Sequence, residues 1–356
     1  MTLEQLGWNS DLQRHFLDSS KQKCLPARVA EENRDHYRVF SQHGELLATI
    51  AGKIRFYAEG RSDFPAVGDW VLITPRLPEN RATIETILPR NTVLTRKMAG
   101  KTFHEQVIAT NIDTIFIVTS LNQDLNPRRI ERYLAIAWES GSMPVVLLNK
   151  ADLCSDSTSF QDSIESIAPA VPVHAVSGLT GEGIFRLLNY LPFGKTVAFI
   201  GSSGVGKSTI INALAGRELQ RVQSVRNSDG RGRHTTTSRQ MMLLQRGGIV
   251  IDTPGMREIG MWESESGLSK TFPDLEEIAS QCYFRDCHHA GEPGCAIADA
   301  IESGMIDPGR LNHYRKLEAE LRFQDSKTNV QLRQAKKAHA KRMSKAITQM
   351  YKQRAR

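Results

Sequence analysis

At 356 residues, with 40% apolar and 24% charged side chains and no apolar run of about 18 residues, the chain has room for two or three globular domains and no helical membrane span. Its net charge of +7 is uneven: residues 326–356 carry ten Lys/Arg and no Asp/Glu, which suits that tail to a polyanion. A solvated helix face is the blander explanation, but such a face normally mixes both signs, and residues 1–20 hold no apolar stretch of signal-peptide length.

Residues 27–90 predict short strands. Tyr37–Phe40 and Leu46–Ile50 flank Gly44 as a hairpin, Trp70–Ile73 follows the turn residues Gly68 and Asp69, and Thr83–Leu88 alternates apolar and polar before Pro89. Several strands in so short a span, with no helical period, suggest a small β-barrel. A five-stranded OB-fold fits the size best, and other small barrels share the pattern. Next, Ile112–Thr119 is nearly all apolar, as in a parallel sheet covered on both faces. A helix follows, with Asn126 as cap, Pro127 at its first position and Gly141 at its end; Ile130, Tyr133, Leu134, Ala137 and Trp138 share its buried face. Strands at Val145–Leu148, Val171–Val176, Val197–Ile200 and Gly248–Ile251 alternate with helices, one of them marked by Ile210, Ile211 and Leu214. That alternation predicts a doubly wound α/β domain. Beyond about residue 265 come a Cys/His cluster and then helices over 308–356, broken near Ser326–Asn329. The expected division is an N-terminal extension with the barrel (1–95), the α/β domain (96–265) and an α-helical zinc-binding domain with a basic tail (266–356).

The chemistry is carried by short motifs. Gly201-Ser202-Ser203-Gly204-Val205-Gly206-Lys207-Ser208 matches G-x-x-x-x-G-K-[ST] between a strand and a helix, the context of a phosphate loop. The glycines allow N–H groups to turn toward phosphate oxygens, and the helix N-terminus adds partial positive charge. Lys207 would reach the β- and γ-phosphates, Ser208 would ligate Mg²⁺, and Thr209 would lie near the α-phosphate. A glycine-rich turn with a chance lysine explains this context poorly. Asn149-Lys150-Ala151-Asp152 follows another strand and matches N-K-x-D. A carboxylate at Asp152 can accept from guanine N1–H and the exocyclic amine; adenine lacks that donor pair, so GTP is expected rather than ATP. Asn149 would brace the loop and Lys150 would lie along the base. Ser177-Gly178 occupies the place of the loop whose N–H meets guanine O6, an assignment that leans on the other motifs.

Asp252-Thr253-Pro254-Gly255 ends the Gly248–Ile251 strand. Asp252 would hold Mg²⁺ through water and the Gly255 N–H would sense the γ-phosphate. Within Gly232-Arg233-His234-Thr235-Thr236-Thr237, Thr236 or Thr237 suits the magnesium shell better than Thr235, with Thr236 taken as the ligand. Where a Ras-like protein places the glutamine that orients water, this chain has Met256, so unassisted hydrolysis should be slow. His234 is the candidate for orienting that water; an ordinary exposed loop histidine is the bland alternative, and Arg233 or a partner's group compete for the role. Cys282, Cys287, His289 and Cys295 offer three thiolates and an imidazole, a closed set for structural Zn²⁺, with neighbouring His288 as an alternative ligand. Lys336, Lys337, Lys341, Arg342 and Lys345 recur at near-helical spacing, a surface for phosphates that needs no base-specific contact.

The guanine motif at 149–152 precedes the phosphate loop at 201–208, the reverse of the Ras-like order. The site lies at strand C-termini, so connections can be permuted while its loops stay in place. The chain here resembles the circularly permuted, small-ribosomal-subunit-dependent GTPases of the RsgA (YjeQ) family over nearly its whole length. The resemblance rests on the permuted order, the preceding barrel, Gly-Arg-His-Thr-Thr-Thr, Asp-Thr-Pro-Gly-Met-Arg and the Cys/His cluster. It implies a cytoplasmic factor in late maturation of the small (30S) subunit, contact with rRNA, and slow hydrolysis stimulated by that subunit. It also favours His289 as the zinc ligand and supports His234. The chain is expected to act as a monomer without a membrane partner. The competing reading is a nucleotide-gated RNA-binding module in which hydrolysis is incidental.

Overall fold

In the computed structural model the described residues are 1–19, 23–34, 36–97, 105–121, 125–218, 239–253 and 265–323. His234, Thr236 and Gly255, the adjoining Met256, and the basic tail lie outside them.

The first domain is a closed five-stranded barrel. Its strands are β1 (Leu25–Glu32), β2 (Tyr37–Ser41), β3 (Gly44–Ile50), β4 (Trp70–Arg76) and β5 (Arg81–Ile87). Their order is β1-β2-β3-β5-β4, and β4 pairs back onto β1 with Leu25 opposite Ile73 and Arg28 opposite Trp70. All neighbours are antiparallel except β3 and β5, which run parallel with Leu47 opposite Arg81. This is the OB arrangement. Period-two alternation seats Leu46 and Ala48 of β3 in the interior with Val39, Val71, Ile73 and Ile84, while Glu45 and Leu47 face outward. A short helix, α2 (Gly52–Tyr57), lies between β3 and β4, and another, α1 (Ser10–Asp18), precedes the barrel; neither was foreseen in the sequence.

The central sheet contains β8 (Thr114–Ser120), β9 (Met143–Asn149), β10 (Val173–Val176), β11 (Thr196–Ile200), β12 (Gln240–Leu243) and β13 (Ile249–Asp252). The order is β10-β9-β8-β11-β13-β12; the first five are parallel, and β12 is antiparallel to β13. Every residue of β8 is buried. Ile115 and Ile117 face one apolar layer with α3 (Pro127–Glu139) and α4 (Ser157–Ile167). Phe116 and Val118 face the other, with α5 (Ile184–Leu187) and α6 (Lys207–Ala215). Asn126 does cap α3, its Oδ1 accepting from the Arg129 N–H at 3.2 Å, and Pro127 occupies the first turn.

Barrel and sheet are continuous through Glu31 of β1 opposite Gln240 of β12. A two-stranded ribbon, β6 (Val93–Lys97) with β7 (Glu105–Thr110), links them in sequence across the expected 95/96 boundary. Gly68 makes the close crossing possible: a Cβ there would sit 2.1 Å from the Thr110 carbonyl oxygen. Arg28, 2% exposed, pins the junction by donating to the carbonyls of Leu6 (2.6 Å), Gly68 (3.1 Å) and Asn111 (2.8 Å). Burial lowers its pKa to about 10, so it stays charged at neutral pH.

The C-terminal region is helical, as expected, but α7 (Glu265–Thr271) and α8 (Pro273–Ala279) precede the Cys/His cluster and α9 (Ala296–Glu302) follows it, where no helix was expected; only α10, over residues 308–323, begins where the sequence placed one. Gly267 lets α7 press against α3, since a Cβ there would lie 2.5 Å from the Ala135 carbonyl oxygen.

Candidate functional site

Parallel pairing brings four loops to one edge. Val176 of β10 lies opposite Asn149 of β9, Asn149 opposite Ser120 of β8, and Phe199 of β11 opposite Asp252 of β13. The segments beginning at Asn149, Ser177, Gly201 and Asp252 therefore leave the sheet together, although the chain visits them in permuted order.

Asn149 ties two of these loops to each other. It is 2% exposed; its amide donates to the Val205 carbonyl at 2.7 Å, and its Oδ1 accepts from the Gly178 N–H at 3.0 Å. A buried amide satisfied on both sides is a rigid brace. Gly206 must be glycine for it: its φ is +97°, and a Cβ would meet the Asn149 amide nitrogen at 2.1 Å. Gly201 is equally constrained, with φ +143° and a Cβ position 2.2 Å from the Val118 carbonyl oxygen. Lys150 adopts the left-handed conformation (φ +65°) and opens a single 3₁₀ turn, Ala151–Leu153, on which Asp152 is exposed. A non-glycine residue held there stores local strain, a feature of ligand-binding loops. Ser177 is fully buried, and its hydroxyl accepts from the Thr180 N–H at 3.1 Å.

Residues 201–206, the expected phosphate loop, run from β11 into α6. Lys207 donates from Nζ to the carbonyls of Gly201 (2.8 Å) and Ser202 (2.7 Å), which lays its ammonium across the loop. Ser208 and Thr209 follow on the first turn of α6, half-buried. Asp252, 4% exposed, ends β13 beside the loop strand. A carboxylate and a hydroxyl are hard oxygen donors that fit Mg²⁺. Two contributors were missed in the sequence. Thr253 is buried and its hydroxyl donates to the Phe199 carbonyl at 2.5 Å, fastening the end of β13 to β11. Arg129 of α3 donates from Nη1 to Ser202 Oγ at 2.5 Å. Only its place at the start of a helix following β8 could have signalled it.

Away from this edge, the ligand atoms of Cys282, Cys287, His289 and Cys295 all lie within 4.8 Å of one another. His289 Nδ1 is 3.5 Å from both Cys282 Sγ and Cys295 Sγ. Tetrahedral zinc with thiolates at about 2.3 Å needs donor separations of about 3.8 Å, so the set fits with slight contraction. His289, not its neighbour His288, joins the group: its φ of +58° turns the ring inward, while His288 is exposed. Burial, and then the Arg315 guanidinium, lower the His289 pKa, favouring the neutral, metal-binding imidazole. Glu292 folds the intervening loop by accepting from the N–H groups of His288 (3.1 Å) and Ala290 (2.6 Å).

Among known proteins, the family model described as RsgA GTPase matches residues 87–262. A small ribosomal subunit biogenesis GTPase, RsgA 2, of Lactiplantibacillus plantarum is 47% identical over 309 residues, covering 87% of this chain and 86% of the relative. A small ribosomal subunit biogenesis GTPase, RsgA, of Opitutus terrae is 41% identical over 353 residues, 96% of each. The crystal structure of YjeQ from Thermotoga maritima superposes with a TM-score of 0.63 at 29% identity, covering 84% of this chain and 98% of that one.

Proposed function

The chain belongs to the RsgA GTPase family, and on that premise we propose that it hydrolyses GTP on the small ribosomal subunit during late maturation, at the edge where Asn149 joins the guanine loop to the phosphate loop. That brace is the observation on which the reading rests, because it makes base and phosphate recognition one rigid unit. Asp152 reads the guanine edge, with Lys150 and Ala151 completing its loop and the loop of Ser177 and Gly178 meeting guanine O6 through a backbone N–H. The N–H groups of Gly201–Gly206, among them Ser202, Ser203, Gly204 and Val205, together with Lys207 and Thr209, hold the phosphates. Ser208, Thr236 and Asp252 would hold Mg²⁺, which supplies charge neutralisation at the β- and γ-phosphates. The Gly255 N–H senses the γ-phosphate, and His234 orients water where Met256 cannot. Cys282, Cys287, His289 and Cys295 would hold one Zn²⁺; four protein donors leave no open position, so its role is structural.

Around this switch the barrel (1–95) and the zinc module with its basic tail (266–356) flank the GTPase domain (96–265). Both flanks are suited to rRNA, and the protein works as a cytoplasmic monomer. No helix among the described residues is long and apolar enough to cross a membrane. The test is GTP hydrolysis with and without small subunits, large subunits serving as control. Stimulation of at least tenfold by small subunits alone is expected, and His234→Ala should lose it while retaining GTP binding. Equal stimulation by both subunits would refute the assignment. Met256 in the glutamine position favours one second reading, a nucleotide-gated RNA binder; subunit release that needs GTP exchange but no hydrolysis would select it.

A further inference from the structure

We propose that Arg129 is a positioning residue of the phosphate loop, holding Ser202 and thereby the carbonyl that orients Lys207. The inference rests on the reading of residues 201–208 as the GTP phosphate site. Ser202 is gripped from two directions: its hydroxyl accepts from Arg129 Nη1 at 2.5 Å, and its carbonyl accepts from Lys207 Nζ at 2.7 Å. The other carbonyl on Lys207 belongs to Gly201, which is wedged against β8 at Val118. Ser202 lies one residue beyond that wedge, just ahead of the turn at residues 203–204, where the contact from α3 fixes it.

Arg129 suits this task through its mounting. Its own N–H is held by the Asn126 cap, so the side chain starts from a fixed backbone. Flanking residues of the same helix are clamped to the C-terminal module. Arg128 donates to Asp307 at 2.6 Å, Arg132 makes a two-pronged pair with Glu320 at 3.0 and 2.9 Å, and Glu131 receives Arg310 at 2.6 Å. The guanidinium at Ser202 thus reports the seating of α3 to the lysine that contacts transferable phosphate. Arg129 touches the loop and needs no contact with the nucleotide. A hydrogen bond from a charged guanidinium is stronger than one between neutral groups, which suits it to holding one loop residue in one rotamer.

The experiment is a double-mutant cycle on GTP affinity with Arg129→Ala, Ser202→Ala and both together, using a fluorescent GTP analogue, with Arg129→Lys as conservative control. Each single alanine variant is expected to weaken GTP binding about five- to tenfold and to raise KM with kcat changed less than about twofold, the pattern of altered ground-state positioning. The double variant should lose clearly less than the sum of the two single losses, because the bond between Arg129 and Ser202 is removed by either one. Arg129→Lys should recover part of the loss. Additive single effects, or an unchanged Arg129→Ala in a wild-type background that binds GTP, would overturn the inference and leave the site standing. A wild-type chain that binds no GTP would overturn the site and the inference together.

Discussion

Two side chains and a missing one explain how the loops at the sheet edge share one geometry. Asn149 spans from Val205 to Gly178, and the absent Cβ of Gly206 makes the space for it. Lys150, held at positive φ, then turns the chain so that Asp152 stands on the adjoining 3₁₀ turn. Asp152→Asn keeps the shape but reverses one acceptor into a donor. Hydrogen bonds to a charged group contribute about 1.5–3 kcal/mol each, so GTP affinity should fall about a hundredfold. Xanthosine triphosphate, whose C2 carbonyl can accept from the new amide, should gain by a similar factor. Competition binding with both nucleotides checks this; equal losses for the two would show that Asp152 does not read the base. These residues were legible in the sequence because each motif is contiguous and bounded by an apolar strand. Arg129 was not, because its partner lies 73 residues away and nothing local marks the contact.

Among elements, legibility followed burial. β8, covered on both faces, announces itself as an apolar run, and α3 carries its cap, proline and apolar face in plain view. α2 buries no residue, so it leaves no 3.6-residue period to detect. The β6–β7 ribbon is set by pairing between segments, Val93 opposite Thr110 and Lys97 opposite Glu105, which propensity does not encode. The cysteine cluster shows the same division. Its composition pointed to zinc and the family resemblance to His289; composition alone left His288 open, and it is the backbone turn at His289 that brings this ring to the cysteines. The loop that carries these ligands has little apolar burial of its own: Tyr283 and Phe284 are both exposed. Structural zinc contributes roughly 10–16 kcal/mol in zinc-finger peptides, more than such a loop can replace. Chelation should therefore release one zinc per chain and expose residues 280–296 to protease while the GTPase domain stays resistant. Cys287→Ser should do the same without chelator. A chelated chain whose module resists protease as before would rule out a structural metal.

At the scale of the whole molecule, permutation decides what the nucleotide can move. In the Ras-like order, the strand bearing the magnesium aspartate is followed by the rest of the GTPase domain; here β13 is followed by the C-terminal helices, and α7 packs directly on α3. The same α3 anchors the module through Glu131. This carboxylate is fully buried, yet it is met by Arg310 at 2.6 Å, by His313 Nδ1 at 2.6 Å and by Arg128 at 3.2 Å. Arg310 in turn donates to Asp274 through two nitrogens, at 2.7 and 2.8 Å, and lies over the Phe272 ring. Breaking a buried pair by removing one partner costs about 3–5 kcal/mol, chiefly because the other charge stays buried. Arg310→Met should therefore lower the melting temperature on the order of 10 °C. It should also reduce subunit-stimulated GTP turnover more than unstimulated turnover, since the module loses its seat on α3. Adding Glu131→Gln should restore part of the stability, because the buried charge that lost Arg310 is gone, but not the stimulation, because the clamp is still broken. Thermal unfolding and turnover measured on the three proteins separate these effects. If Arg310→Met melts within a degree of the parent, the clamp does not hold the module; if stability falls while stimulation is untouched, the clamp is structural and the subunit's signal reaches the GTP site by another route.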